Sequence, residues 1–148
     1  FNVFGPRQDP ASEYAAVIPR FVTRMLAGLR PTVYGDGEQS RDFVFVEDVA
    51  RANLLAASSD VSDVSLNIAS GERLSLNQLV RSLNEILASD LQPVYEPARV
   101  GEVRHSQADI RLAEVQIGFR PEVSLREGLR RTIESFRTDA QYRTTHAT

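Results

Sequence analysis

Val33-Tyr-Gly-Asp-Gly-Glu-Gln-Ser-Arg-Asp-Phe-Val-Phe-Val-Glu-Asp-Val-Ala50 holds two β-prone runs, a sharp turn between them and the start of a helix. Pro31 to Tyr34 reads as a short strand, and Asp42 to Val46 as another rich in β-branched and aromatic residues. Gly35-Asp-Gly37 separates them and asks for backbone conformations that glycine adopts without steric cost. Glu47 and Asp48 then put carboxylates at the positive end of a helix running through Ala50, Leu54, Leu55 and Ala57. Strands that alternate with helices argue for an α/β class.

Towards the amino terminus, Phe1-Asn-Val-Phe4 is apolar and β-prone and meets a turn signal at Gly5-Pro6; it reads as the middle of a longer chain. Val17, Ile18, Phe21, Val22, Met25 and Leu26 recur at helical spacing within a helix expected over Ala15 to Leu29, with Gly28 as its stop. Towards the carboxy terminus, Ser65 to Ala69 reads as a third strand, and Ser75 as the N-cap of an amphipathic helix carrying Leu76, Leu79, Val80, Leu83, Ile86 and Leu87. Gln92 to Glu96 is a fourth strand, and Pro97 to His105 a polar loop. Asp109 reads as the cap of a helix ended by Gly118, and Ser124 with Glu127 as a capping box opening a last helix through Leu129, Ile133 and Phe136. From residue 138 to residue 148 the apolar pattern fades into a loose tail.

The 148 residues are 42% hydrophobic and 25% charged, the balance of one globular domain. No apolar run approaches the roughly 20 residues that span a bilayer, and no signal pattern opens the chain, so the expectation is a cytoplasmic protein without membrane contact. A formal net charge of −3 gives no broad attraction to nucleic acid. With no cysteine and only His105 and His146 to offer imidazole, no metal site is expected. All 17 basic residues are arginine, which rules out every lysine-dependent mechanism within this chain. An arginine-only chain suits phosphate recognition through planar forks, and is equally what the codon bias of a GC-rich genome produces.

Within the opening stretch, two glycines bring backbone close to a ligand, Tyr34 offers an aromatic face, and Arg41 stands where a diphosphate is bridged. The same residues also describe a hairpin-like turn with an ordinary surface arginine. Three further stretches stand with it in order: Phe1-Asn-Val-Phe-Gly-Pro-Arg-Gln-Asp-Pro10, Ala15-Ala-Val-Ile-Pro-Arg-Phe21 and Gly101-Glu-Val-Arg-His-Ser-Gln-Ala-Asp109. Together they resemble the extended short-chain dehydrogenase/reductase family, in particular the NAD-dependent epimerase/dehydratase group that includes UDP-glucose and UDP-N-acetylglucosamine 4-epimerases.

The resemblance covers residues 1 to 137 and implies the carboxy-terminal, sugar-nucleotide-binding portion of such an enzyme, with short strands alternating with helices and without the amino-terminal Rossmann half. Neither Gly-x-Gly-x-x-Gly nor Gly-x-x-x-x-Gly-Lys occurs in the sequence, so NAD is expected to be bound mainly by that missing half. By the same resemblance Phe1 borders the nicotinamide end of NAD and Asn2 contacts the sugar nucleotide. Ala16 and Val17 match the start of the helix beside the nucleotide, where only their backbone would act; plain helix packing is the alternative. Tyr34 matches the aromatic residue near the uracil, Phe43 a second aromatic, and Arg41 and Arg99 the two arginines that hold the diphosphate. Glu102 stands where the family more often has aspartate, and the extra methylene puts its ribose contact in doubt. Ser106 matches a position lining the sugar pocket, where a small side chain leaves space for a 2-acetamido group; it also reads as a solvated loop hydroxyl.

No catalytic residue is expected in this chain. The family's tyrosine base has a lysine four residues later, whereas Tyr14, Tyr34, Tyr95 and Tyr142 are followed at that distance by Ile18, Glu38, Arg99 and His146. The implied activity of the intact enzyme is 4-epimerisation of a UDP-hexose or UDP-N-acetylhexosamine. The alternatives are another family activity (dehydratase, decarboxylase or reductase) and a truncated binding module that does no chemistry. In the family, Val44 to Ala57 packs back onto the cofactor domain, so this portion alone is expected to expose apolar surface and to self-associate or form a homodimer.

Overall fold

The computed structural model describes residues 1–11 and 17–138. In α1 (Val17–Leu26), Ile18, Phe21, Val22 and Met25 recur every three or four residues and all are buried. The same arithmetic buries Leu76, Leu79, Val80 and Leu83 of α3 (Leu76–Leu87) and Leu129, Ile133 and Phe136 of α5 (Leu125–Thr138). These three faces close on one another and on Phe4, Val33, Phe43 and Phe45 to form the main core. Each fully buried leucine or phenylalanine there contributes roughly 1.5–3 kcal/mol of transfer free energy.

The strands are short and pair in twos: β1 (Asn2–Phe4) runs parallel to β4 (Phe43–Phe45), β2 (Thr32–Tyr34) parallel to β6 (Val94–Glu96), and β3 (Ser40–Arg41) antiparallel to β5 (Leu74–Ser75). Parallel pairs joined through helices make this an α/β architecture. A smaller cluster of Ala52, Ala113, Ile117 and Phe119 lies between α2 (Val46–Ala57) and α4 (Arg111–Ile117).

Helix ends follow the local chemistry with two differences. Ser75 caps α3 in a full capping box with Gln78, and Gly118, at φ 67°, closes α4 in the left-handed conformation. Asp109 is not the N-cap of α4; Ile110 is, and the Asp109 carboxylate accepts the Arg111 N–H at 3.0 Å from one residue further out. Ser124 accepts the Glu127 N–H at 3.2 Å, while the Glu127 carboxylate receives Arg130.

The expected strand at Ser65–Ala69 is absent: that stretch carries no ladder with any of the described strands. Leu66 and Ile68 pack instead against the smaller cluster. The two-residue strands β3 and β5 were not expected. The expected start of α1 at Ala15, and the tail from residue 139, lie outside the described residues.

Candidate nucleotide-sugar site

The turn after β2 is built by two glycines whose φ angles are 84° at Gly35 and 78° at Gly37. Gly37 is further constrained by contact, since a Cβ there would stand 2.1 Å from Asn77 Oδ1. Asp36 accepts the Glu38 N–H at 2.9 Å and a two-pronged ion pair from Arg104 at 2.7 and 2.8 Å, which ties the turn to the 104–108 segment. These hydrogen bonds from Arg104, then that from Glu38, hold the Asp36 carboxyl down at about 2.

Directly beyond the turn the chain carries three buried polar side chains that the sequence reading did not single out, Gln39, Ser40 and Asp42. Gln39 is 4% exposed and donates its amide N–H to the Tyr34 carbonyl. Asp42 is fully buried and accepts four hydrogen bonds, from Ser70 N–H (2.8 Å), Ser70 Oγ (2.6 Å), Gly71 N–H (3.1 Å) and Ala108 N–H (3.1 Å). Its carbonyl oxygen accepts the backbone and side-chain N–H groups of Asn2, both at 3.2 Å. One residue thus joins β1, the 70–71 turn and the 104–108 segment, satisfying donors that burial would otherwise penalise. The available signal was the position of Gln39 and Asp42 directly between the glycine turn and the apolar run Phe43 to Val46.

Around this frame lies a cleft of about 330 Å³ into which Asn2, Val17, Tyr34, Gln39, Arg41 and Arg99 converge. Arg20, Arg24 and Glu102 complete its charged lining, so four guanidinium groups face one carboxylate. Arg41 is 17% exposed, donates to the Ser40 carbonyl at 2.9 Å and pairs with Glu102 at 3.1 Å. The Arg99 guanidinium stacks on the Tyr34 ring at 4.0 Å from its centroid. A lining of four guanidinium groups about one carboxylate has the charge and fork geometry that suit a phosphate-bearing anion.

Five of the nine residues expected at the site, Asn2, Val17, Tyr34, Arg41 and Arg99, therefore line one cleft, although residues 2 and 99 lie far apart in sequence. Of the other four, Phe43, Ser106 and Phe1 are placed differently. Phe43 is 6% exposed and sits edge-on to Phe4 at 6.5 Å in the core, on the wall of a second cleft of about 360 Å³ beyond Arg41; an apolar ring beside other rings gains more from burial than from a polar ligand. Ser106 lies on the segment zipped to β3 by its N–H bond to the Ser40 carbonyl at 3.0 Å, outside the lining of the 330 Å³ cleft. Phe1 is 51% exposed at the head of β1 and does not line that cleft. Ala16 lies outside the described residues. His105, read as a loop residue, hydrogen-bonds through Nδ1 to Ser40 Oγ at 2.9 Å.

Among the described residues no helix is long and apolar enough to cross a membrane, and no cluster of three or more histidine and carboxylate side chains is arranged for a metal ion. The glycine-rich strand-to-helix motif that holds the NAD pyrophosphate does not occur in the sequence.

A family model described as the NAD dependent epimerase/dehydratase family matches residues 1–69. A curated relative, a putative UDP-glucose 4-epimerase of Methanocaldococcus jannaschii, is 40% identical over 132 residues, which are 89% of this chain and 42% of that protein. Among solved structures, the UDP-glucose 4-epimerase of Thermotoga maritima with UDP-glucose superposes with a TM-score of 0.87 at 48% identity, covering 92% of this chain and 43% of that one. The UDP-N-acetylglucosamine 4-epimerase of Methanobrevibacter ruminantium in complex with UDP-N-acetylmuramic acid gives 0.88 at 45% identity, covering 93% and 44%. Decarboxylases of UDP-sugar acids occur among the relatives as well. The chain thus spans under half the length of the proteins it matches. It belongs to the NAD dependent epimerase/dehydratase family and corresponds to the carboxy-terminal part of those proteins.

Proposed function

We propose that this chain is the nucleotide-sugar-recognising part of an NAD-dependent 4-epimerase acting on a UDP-hexose or UDP-N-acetylhexosamine. The observation that carries the reading is the convergence of Asn2, Val17, Tyr34, Arg41 and Arg99 on one arginine-lined cleft. Arg41 and Arg99 hold the diphosphate, and the uracil lies towards Tyr34, whose ring is already stacked by Arg99 on one face. Phe43 acts through the core, by fixing the strand that follows Arg41. Ser106 borders the sugar end, where its small side chain leaves room for an acetamido group. The Ala16 and Val17 amides border the nucleotide, and Phe1 packs against NAD held by the rest of the enzyme. NAD supplies a reversible hydride acceptor at the sugar C4 when bound; this chain contributes orientation of the hexose and no acid or base.

A second reading is favoured by the relatives that are decarboxylases: the same binding frame would serve a UDP-sugar acid. Calorimetric titration of the 148-residue chain with UDP-N-acetylglucosamine, UDP-glucose and UDP-glucuronic acid separates the readings. The expected result is binding that is at least tenfold weaker in Arg41→Ala, a loss of about 1.4 kcal/mol or more for a charge-assisted contact. Preference for the acetylated sugar supports the Ser106 assignment, preference for the uronic acid supports the second reading, and affinity unmoved by Arg41→Ala overturns the placement of the diphosphate.

A further inference from the structure

We propose that Asn77, which does not line the cleft, is a positioning residue for it: its side chain holds the 35–38 turn in the one conformation that sets Tyr34 and Arg41 on the same anion. The inference rests on the reading of the cleft given above. Asn77 stands in the first turn of α3, where backbone N–H groups have no partner inside the helix. Two of these donors go to the glycine turn and the residue after it. Leu76 N–H donates to the Gln39 carbonyl at 3.2 Å and Asn77 N–H to the Gly37 carbonyl at 3.0 Å, which seats the start of the helix on the turn.

The Asn77 side chain completes the clasp. Its Nδ2 donates to the Asp36 carbonyl at 3.0 Å and to the Glu38 carboxylate at 2.6 Å, and its Oδ1 accepts the Tyr95 hydroxyl at 3.0 Å. Both partners of Nδ2 are oxygens that only accept, so the amide has one orientation that satisfies all three contacts. Tyr95 belongs to β6 and pairs with Val33, the neighbour of Tyr34 on β2. One amide therefore joins α3, β6 and the turn, and the missing Cβ of Gly37 is what admits it. Asn77, Glu38 and Tyr95 line a separate groove of about 510 Å³, whereas Tyr34 and Arg41 line the nucleotide cleft. Asn77 thus acts through the backbone between Tyr34 and Arg41, without touching the ligand. Two glycines leave a turn many conformations. Without the clasp the binding-competent one is a fraction of the population, and apparent affinity falls by that fraction.

The test is titration with UDP, amide hydrogen exchange over residues 34–41 and a thermal melt of the 148-residue chain and four variants. Asn77→Ala is expected to bind UDP roughly tenfold more weakly, with faster exchange in the turn. Tyr95→Phe removes only the hydroxyl that orients the amide and is expected to weaken binding roughly threefold. Asn77→Asp sets two carboxylates against each other and is expected to lose more than Asn77→Ala. Adding Glu38→Gln to Asn77→Asp restores the pair with donor and acceptor exchanged, and is expected to recover most of the affinity. A contribution to fold stability alone would lower the melts and leave the affinity of the folded proteins unchanged. That result, in Tyr95→Phe as in the Asn77 variants, or a double variant no better than Asn77→Asp, overturns this inference and leaves the reading of the cleft standing. A wild-type chain that does not bind UDP overturns that reading and this inference with it.

Discussion

The Asp36 carboxyl is held at about 2, below its ordinary 3.8, chiefly by the hydrogen bonds from Arg104. A carboxyl with a depressed folded value stabilises the fold above its unfolded value, and that contribution fades as pH falls from about 3.8 towards about 2. Both partners are solvent-exposed, so the effect on global stability is small and the titration itself is the sensitive readout. Carbon-detected NMR titration is expected to place Asp36 near 2 in the wild type and back towards 3.8 in Arg104→Gln. Asp42 differs because it is fully buried and accepts four hydrogen bonds. Asp42→Ala strands the Ser70, Gly71 and Ala108 amides, each costing about 1 kcal/mol or more, so urea unfolding should show a loss of about 3 kcal/mol. A loss below about 1 kcal/mol would mean that the three segments find other partners.

Among the elements, α5 packs against the β1–β4 pair at Gly128. A Cβ built there would stand 2.8 Å from Phe4 Cζ and 2.9 Å from Phe45 Cδ2, both on rings already packed edge to face at 5.6 Å. Glycine inside a helix is ordinarily unfavourable relative to alanine by about 1 kcal/mol, and here that cost is outweighed by the contact it permits. Gly128→Ala is therefore expected to destabilise by about 1–3 kcal/mol, where an exposed helical site would be stabilised; denaturant unfolding decides the sign. The segment before α5 is set by Asp48, 2% exposed at the start of α2, whose carboxylate accepts the Glu122 and Val123 N–H groups at 3.0 and 3.2 Å. Glu47 and Asp48 were expected to serve only the helix dipole. In the structure Asp48 joins α2 to the segment that leads into α5, and Glu47 pairs with Arg131 of α5.

At the scale of the molecule, the main core is closed and the smaller one is not. Leu54 is 70% exposed on α2, and Leu112 and Val115 are 46% and 79% exposed on α4, the helix packed beside it. Val64, 41% exposed, precedes the Ser65–Ala69 stretch that has no ladder among the described residues. Exposed apolar side chains beside a stretch that makes no ladder favour association with a second copy of the chain. Sedimentation velocity is expected to show concentration-dependent association that Leu54→Asp with Val115→Asp suppresses. A wild-type chain that remains monomeric at every concentration would contradict this.

The helices were legible because their cause is local. Ile18, Phe21, Val22 and Met25, or Leu76, Leu79, Val80 and Leu83, carry their periodicity in the sequence, and Ser75 and Gly118 mark ends by their own chemistry. The turn at residues 35–37 was legible from Gly35 and Gly37, which both take positive φ in the structure. Other features depended on partners distant in sequence. Ser65–Ala69 has the composition of a strand, but a ladder needs a neighbour. Phe43 and Arg41 look alike as site residues until packing buries one and leaves the other at the cleft. The orphaned oxygen of Gln39 and the four hydrogen bonds of Asp42 became visible only when Tyr34, Ser70, Gly71 and Ala108 were brought beside them. By itself the sequence determined the helices, the turn and the arginine and aromatic residue types that line the cleft; tertiary structure alone decided which polar groups lost their water, because desolvation depends on neighbours contributed by the rest of the chain.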